Sequence, residues 1–198
     1  MIRLVALLSL LLLTACASAP PAPGTAPQIA ALAREIQALS PQIDPQEATR
    51  AATIAYAETH RLALAYQITD PPLIHNAKVN AGTKPRGLCY HWAEDMERRL
   101  NAEGFTTLAM TRAIANSETR FLIEHSPAVI TAKGAPMESG IVLDPWRYGG
   151  VLFWDGVATD KRYDWLPRID VLRARGQIRY AQRPEGSLAT PPQDAPTP

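Results

Sequence analysis

Apolar residues recur at helical spacing through the first part of the chain. Four of them, three or four positions apart, predict a short amphipathic helix: Ile29, Leu32, Ile36 and Leu39. Ser40-Pro41 would end this helix, and the segment Asp44-Pro45-Gln46-Glu47 favours a new start, with Asp44 as N-cap and proline in the first helical position. The alanine-rich sequence that follows predicts a second helix to about Gln67, with a surface that neighbouring elements can approach closely.

A third helical pattern begins at Cys89. Apolar residues at spacings of four, three and four define its inward stripe: Cys89, Ala93, Met96 and Leu100. The opposite side carries two acid-first pairs at i,i+4, Glu94 with Arg98 and Asp95 with Arg99, which predicts a solvated face. Residues 69–86, which precede this helix, are predicted to form a long polar loop.

The pattern after the third helix is typical of strands. Strands are predicted over residues 105–114, 120–132, 140–143, 151–154 and 177–181, with turns at Asn116-Ser117 and Lys133-Gly134. Helices followed by consecutive strands predict an α+β domain with an antiparallel sheet, over residues 28–182. Four arginines near the end of this domain are expected to form a solvated basic edge: Arg168, Arg173, Arg175 and Arg179.

Cys89 is the first candidate for chemistry. A cysteine in the first turn of a helix lies near unpaired backbone N–H groups and the positive end of the helix dipole, which stabilises a thiolate. A thiolate nucleophile also needs a base and a group that orients the base. His125 and Asp144 follow Cys89 after 36 and 19 residues, and adjacent antiparallel strands could bring all three together. The alternatives are a buried thiol, a structural strand histidine and a carboxylate that caps the turn at Pro145.

The remaining histidines are weaker candidates for the base. His91 is two residues from Cys89, but two helical steps rotate it by about 200°, to the far side of the helix. His60 in the second helix and His75 in the predicted loop are expected to have solvated or hydrogen-bonded structural roles.

Residues 84–147 resemble the transglutaminase-like superfamily of papain-like cysteine enzymes. The resemblance rests on Arg86-Gly87-Leu88-Cys89 with Ala93 four positions on, then His125, then Leu143-Asp144-Pro145-Trp146. It implies a papain-like core and a triad in which Cys89 attacks an amide carbonyl, His125 moves the proton and Asp144 orients the imidazole. Pro127 departs from the pattern, since members commonly have tryptophan there, and proline within sheets is confined to edges and bulges.

Four further residues are candidates for supporting roles. Asn76 or Asn80 could supply a side-chain oxyanion donor beside the backbone N–H of Cys89, although turn residues are the default interpretation. Trp146 and Tyr148 could line a substrate cleft, although aromatic residues of this kind more commonly pack in the core.

The N-terminal segment is typical of an export signal. Residues 1–15 contain Arg3 and an apolar run too short to span a bilayer, as in a signal peptide. Leu13-Thr14-Ala15-Cys16 resembles the lipobox of bacterial lipoproteins, which implies lipid on Cys16 and a membrane partner. Residues 16–27 would form an Ala/Pro-rich tether and residues 183–198 a disordered tail. By resemblance to enterobacterial lipoproteins, Ala17 after Cys16 favours the outer membrane, facing the periplasm.

Lipid on Cys16 would leave Cys89 without a disulfide partner in an oxidising compartment. An unpaired thiol there is expected either to be buried in the core or to have a chemical role. Without Arg3 the chain has 19 basic and 19 acidic residues, so nothing indicates nucleic acid. The sequence has no metal-spaced ligand cluster, no cofactor motif and no acidic calcium loop, and it does not indicate an oligomeric state. Two hypotheses remain: a thiol hydrolase or acyl transferase acting on envelope peptides or proteins, and a non-catalytic lipoprotein that uses the same fold to bind or scaffold.

Overall fold

The computed structural model describes residues 19–178. This part of the chain contains five helices, five strands and a short 3-10 turn at Met137–Ser139. The helices are α1 Ala26–Ala38, α2 Pro45–Ala65, α3 Pro72–Asn80, α4 Cys89–Asn101 and α5 Arg168–Ala174. The strands are β1 Leu108–Ile114, β2 Ala128–Ala132, β3 Ile141–Asp144, β4 Phe153–Gly156 and β5 Leu166–Pro167.

The five strands form one antiparallel sheet in the order β4-β3-β2-β1-β5. Leu108 of β1 pairs with Ala132, and Ala128 of β2 pairs with Leu143 of β3. Helices come first and the sheet follows, so the α+β prediction is confirmed.

Apolar side chains cover both faces of the sheet. On one face, α1, α2 and α4 pack over alternate strand residues, with Leu32, Met96 and Ile130 fully buried. On the other face, Val129 and Val142 pack with Trp165 from the chain that leads into β5. Because side chains alternate along a strand, neighbouring residues of β2 contribute to opposite layers.

The start of α2 is fixed by two acidic residues. Asp44 caps the helix by accepting from the N–H groups of Gln46 (2.6 Å) and Glu47 (3.3 Å), as predicted. Glu47 is buried and accepts hydrogen bonds from both the N–H and hydroxyl groups of Thr106 and Thr107. Burial alone would raise the pKa of Glu47, but these bonds lower it to about 2. The first turn of α2 is thereby tied to the chain that enters β1.

Several predicted elements were wrong in type or extent. Residues 69–86 are not a loop throughout, because α3 begins at Pro72, which suits the first helical position. Of the strand predicted over 120–132, only Ala128–Ala132 forms a strand. The predicted strand over 151–154 lies two residues further on, at β4. Residues 177–178 are not a strand, and 179–181 lie outside the described residues, as does Arg179.

The predicted solvated face of α4 was wrong at Asp95. Asp95 is only 5% exposed and accepts from the Tyr66 hydroxyl, while Arg98 and Arg86 donate to it. Arg99 pairs instead with Glu103, at 2.5 Å. The Asp95 carboxylate is stabilised by the buried Tyr66 hydroxyl and by two arginines, and i,i+4 spacing along one helix does not reveal these donors.

The predicted signal peptide, the predicted lipidation site Cys16 and the predicted tail of residues 183–198 lie outside the described residues. Part of the predicted tether is described: the Pro21 carbonyl lies 3.0 Å from His60 Nδ1, and α1 begins at Ala26. Within residues 19–178 no helix has both the length and the apolar character needed to cross a bilayer.

Candidate active site

Cys89 is the first residue of α4, as predicted, and the turn before it is held by hydrogen bonds to backbone groups. His91 Nδ1 accepts from the N–H groups of Gly87 (3.2 Å) and Leu88 (3.3 Å). Trp92 Nε1 donates to the Gly87 carbonyl at 3.1 Å. Burial, and then the charge of Arg86, lower the pKa of His91, which keeps its ring neutral and able to accept. His91 is thus a structural part of the turn.

Gly87 is required at this turn for two reasons. Its φ of +123° lies in the region that L side chains rarely adopt, and a Cβ there would collide with His75 Nε2. His75 is buried in α3, not in a loop, and its Nε2 donates to the Arg86 carbonyl at 2.8 Å. Helix α3 therefore supports the turn that positions the thiol.

The Cys89 side chain lies between α4 and the chain that leads into β2. Cys89 is 9% exposed and packs in an apolar cluster that includes Tyr66, Trp92 and Trp146. Its thiol donates to the Glu124 carbonyl, at 3.7 Å. That carbonyl belongs to the residue immediately before His125, so the thiol contacts the segment that carries the predicted base.

His125 is 1% exposed, and its two ring nitrogens have different surroundings. Nε2 lies 2.7 Å from Asp144 Oδ2, whereas Nδ1 is buried and has no hydrogen-bond partner among the described residues. Burial disfavours the imidazolium, but the bond to Asp144 and the interaction with Cys89 outweigh it and raise the pKa of His125 to about 9. The structure thus brings Cys89, His125 and Asp144 together.

Aromatic rings surround the imidazole of His125. The ring centroids of Trp146, Tyr163 and Trp165 lie 4.6, 5.0 and 5.6 Å from that of His125. These rings restrict the orientation of the imidazole and exclude water from its faces.

Pro127 does not displace His125 from the sheet. The backbone pairing of His125 with Ala115 continues the β1–β2 register past Pro127. Pro127 has no N–H to donate to the Ala113 carbonyl, but the Ser126 hydroxyl donates to that carbonyl at 2.9 Å. The ladder therefore loses one backbone hydrogen bond without leaving a buried acceptor unpaired.

Arg147 and Asp160 extend the hydrogen-bond network of the site beyond Asp144. Arg147 Nε donates to Asp144 Oδ2 at 2.9 Å, the same oxygen that contacts His125. Its other guanidinium nitrogens pair with Asp160, at 3.2 and 2.5 Å. The side chains of all three charged residues are at most 3% exposed. Trp165 Nε1 also donates to Asp160 (3.0 Å), so the acid that orients His125 is fixed by a closed buried network.

Sequence reasoning missed Arg147 and Asp160. An arginine is usually exposed, and nothing in residues 145–165 distinguishes Arg147 from the other arginines of the C-terminal part of the chain. The one available signal was its position three residues after Asp144, within reach of a carboxylate at the end of a strand.

A cavity of about 670 Å³ opens beside His125. His125, Trp146, Arg147 and Tyr163 form its inner part. Cys89 is not among the residues that line this cavity.

The four residues with predicted supporting roles have different positions. Trp146 is buried against His125 and lines the cavity, and its Nε1 donates to Asn76 Oδ1 at 3.0 Å. Asn76 therefore lies close to the site. Asn80 is exposed at the end of α3, and Tyr148 is 56% exposed, beside Phe153 and outside the cavity.

Among residues 19–178 no three histidine, cysteine or acidic side chains are grouped so that they could hold a metal ion. A comparison with protein-family models finds no match, and comparisons with curated proteins and with solved structures find none either.

Proposed function

We propose that the protein is an envelope lipoprotein with a cysteine hydrolase site that cleaves amide or peptide bonds, or transfers the acyl group, through a thioester on Cys89. The observation that carries this proposal is the arrangement around His125. Nε2 is bound to Asp144, which leaves Nδ1 as the free nitrogen, and the interaction with Cys89 raises the pKa of the ring. His75 also has a buried Nδ1 without a partner among the described residues, but only His125 combines an unpaired nitrogen with a carboxylate on the other nitrogen and an interaction with a thiol.

The reaction would follow from this geometry. His125 Nδ1 takes the proton of the thiol, and Cys89 Sγ attacks the carbonyl carbon of the amide. Collapse of the tetrahedral intermediate breaks the C–N bond, and the imidazolium gives its proton to the leaving amine. Water then attacks the thioester with His125 as base, which releases the carboxylic acid and restores the thiol. Asp144 holds the imidazole in its orientation and stabilises the imidazolium.

The negative charge of the tetrahedral intermediate needs donors. The backbone N–H of Cys89 points out of the first turn of α4, where amide groups have no partner within the helix. Asn76 is the better of the two proposed side-chain donors, because its contact with Trp146 places it beside the site, whereas Asn80 is exposed.

The membrane anchor and the substrate class are parts of the same proposal. Lipid on Cys16 would hold the catalytic domain at a membrane of the cell envelope, and the residue after Cys16 favours the outer one. Peptides and proteins of the periplasm are then the accessible substrates.

Thiol reactivity tests the proposal. In the full chain carrying Cys16→Ser, Cys89 is the only thiol, so iodoacetamide incorporation measured by intact mass reports on it alone. We expect His125→Ala to slow labelling at pH 7 at least tenfold, and the matched variant His60→Ala to leave it unchanged. Equal labelling rates in wild type and His125→Ala would contradict the proposal.

A non-catalytic binding or scaffold module is the second candidate function. It is favoured by the position of Cys89, which is 9% exposed and does not line the cavity that reaches His125. This alternative predicts that Cys89→Ser retains full cellular function, whereas substitutions that fill the cavity abolish it.

A further inference from the structure

The loop between β1 and β2 exposes three consecutive large apolar side chains beside His125. Phe121 is 96% exposed, Leu122 58% and Ile123 56%. The loop is nevertheless held at its base, where Asn116 Nδ2 donates to the Ile123 carbonyl at 3.0 Å and Arg175 bonds Glu124. An exposed apolar run on a held loop is costly to solvate, which is typical of a binding surface.

These side chains form one apolar wall of the 670 Å³ cavity, and a second part of its lining is also apolar. Pro71, Pro72 and Leu73 at the start of α3 form this second wall, and Leu73 is 56% exposed. The loop continues directly into Glu124, whose carbonyl accepts from the Cys89 thiol. A chain segment held between the two walls would therefore lie next to the imidazole of His125, one residue along the chain from the carbonyl that contacts the thiol.

The lining of the cavity also contains cationic side chains. Two arginines line it, Arg147 and Arg162, and no carboxylate does. Arg147 is already paired with Asp144 and Asp160. Arg162 is exposed, and none of the ion pairs within residues 19–178 involves it. Its guanidinium lies over the ring of Tyr163, 5.5 Å from the centroid, so one cation at the mouth is available to an acidic group.

We propose that this cleft selects peptide segments in which a bulky apolar side chain lies between the 121–123 loop and the Pro71–Leu73 wall while a nearby carboxylate faces Arg162. The inference rests on the proposed hydrolase function and names the substrate class of the same site. A peptide fits better than a membrane surface because the apolar residues line a cavity together with His125 and two arginines, instead of forming one flat face.

Peptide electrophiles test the inference on the full chain with Cys16→Ser. Four tripeptide vinyl sulfones are compared, which differ at two positions. One position is Leu or Ser and the other is Glu or Lys, in all four combinations. The rate of Cys89 modification is followed by mass spectrometry. We expect the Leu and Glu peptide to react at least tenfold faster than each Ser peptide and at least fivefold faster than the Leu and Lys peptide.

Two variants and their matched controls connect the preference to the cleft. Arg162→Glu should reverse the preference for Glu over Lys, whereas Arg173→Glu, on exposed α5, should not. Leu122→Ser should remove the preference for Leu, whereas Ile169→Ser, at a similarly exposed apolar position, should not. Iodoacetamide, which makes no contacts with the walls, should react at the wild-type rate in the two control variants, Arg173→Glu and Ile169→Ser. The peptide rates of Arg162→Glu and Leu122→Ser are divided by the iodoacetamide rate of the same variant.

The outcomes separate the two proposals. Iodoacetamide labelling that is independent of His125 overturns the proposed function. Labelling that depends on His125, with equal rates for all four peptides, overturns the substrate inference alone. The wild-type protein is also tested for binding to anionic phospholipid vesicles. If Leu122→Ser abolishes vesicle binding but keeps the preference for Leu peptides, the loop is a membrane-binding surface and the inference is overturned.

Discussion

The Ser126 hydroxyl donates to the Ala113 carbonyl at 2.9 Å, where a β-ladder would normally supply a backbone N–H. The neighbouring Pro127 cannot make that bond, yet its own carbonyl still accepts from the Ala113 N–H at 3.3 Å. The side chain thus completes the ladder one residue from His125. Because the strand pairing continues to Ala115, His125 stays in register with the sheet. Its imidazole therefore lies within hydrogen-bond distance of Asp144, at 2.7 Å.

Ser126→Ala should destabilise the protein by about 1–3 kcal/mol, because the buried Ala113 carbonyl loses its only compensating donor. Urea unfolding followed by circular dichroism measures the change. Ser139→Ala is the control: its hydroxyl also bonds a backbone carbonyl, that of Pro136 at 2.8 Å, but in an exposed turn. Equal losses in the two variants would show that the ladder does not depend on Ser126.

Gly87→Ala should destabilise the turn before Cys89, by about 2 kcal/mol or more, since the new Cβ adds a collision with His75 to the cost of a positive φ. Gly134→Ala provides the comparison, because Gly134 has φ +80° but no heavy atom within 4 Å of an added Cβ. Thermal unfolding of both variants separates the two costs. If Gly87→Ala lowers the stability no more than Gly134→Ala does, the conclusion that α3 supports this turn is contradicted.

Asp160→Asn should cost about 3–5 kcal/mol, because it leaves the buried Arg147 guanidinium with only Asp144 as its counter-charge. Asp170→Asn removes a similar arginine partner, Arg173 at 3.0 Å, but both side chains of that pair are exposed, and the expected loss is about 0–1 kcal/mol. Chemical denaturation gives both values. If both variants lower the free energy of unfolding by similarly small amounts, the buried network does not fix Asp144.

Glu47→Gln should weaken the junction between α2 and β1 and alter the acid stability of the protein. The pKa of Glu47 is lowered to about 2, so the carboxylate contributes stability above its ordinary pKa of 4.5, and this contribution is lost as the pH falls towards 2. The stability difference between wild type and variant should therefore shrink between pH 5 and about 2. The exposed Glu35→Gln should show no such pH dependence. A constant difference for Glu47→Gln would contradict the assignment.

Local patterns in the sequence were sufficient to predict α1, α2 and α4. The cap at Asp44 and the apolar stripe of α4 both depend on residues within one or two turns, and both were correct. The order of helices and strands likewise indicated the α+β class.

Features that depend on distant partners could not be predicted in the same way. Asp95 was assigned to solvent because its donors Tyr66 and Arg86 belong to other elements. The loop before β2 was predicted as strand because Phe121 to Ile123 are strongly apolar, yet these residues lie in a turn and are exposed at a cleft. Arg147 belongs to the site only because Asp160, 13 residues later, folds back onto it.

The most direct test of the central claim, that Cys89 and His125 act as a coupled proton-exchanging pair, is a ¹⁵N NMR titration of the His125 ring. The pKa of His125 is raised to about 9 partly by Cys89, so we expect an imidazolium at pH 7.5 in the Cys16→Ser protein and its deprotonation near pH 9. Because this pKa lies above the ordinary 6.5, the pair stabilises the fold fully below pH 6.5, and that contribution is lost as the pH rises through 9. Addition of Cys89→Ser should lower the pKa of His125 and leave the ring more weakly protonated at pH 7.5. A titration curve that is the same with and without the Cys89 thiol would contradict the account.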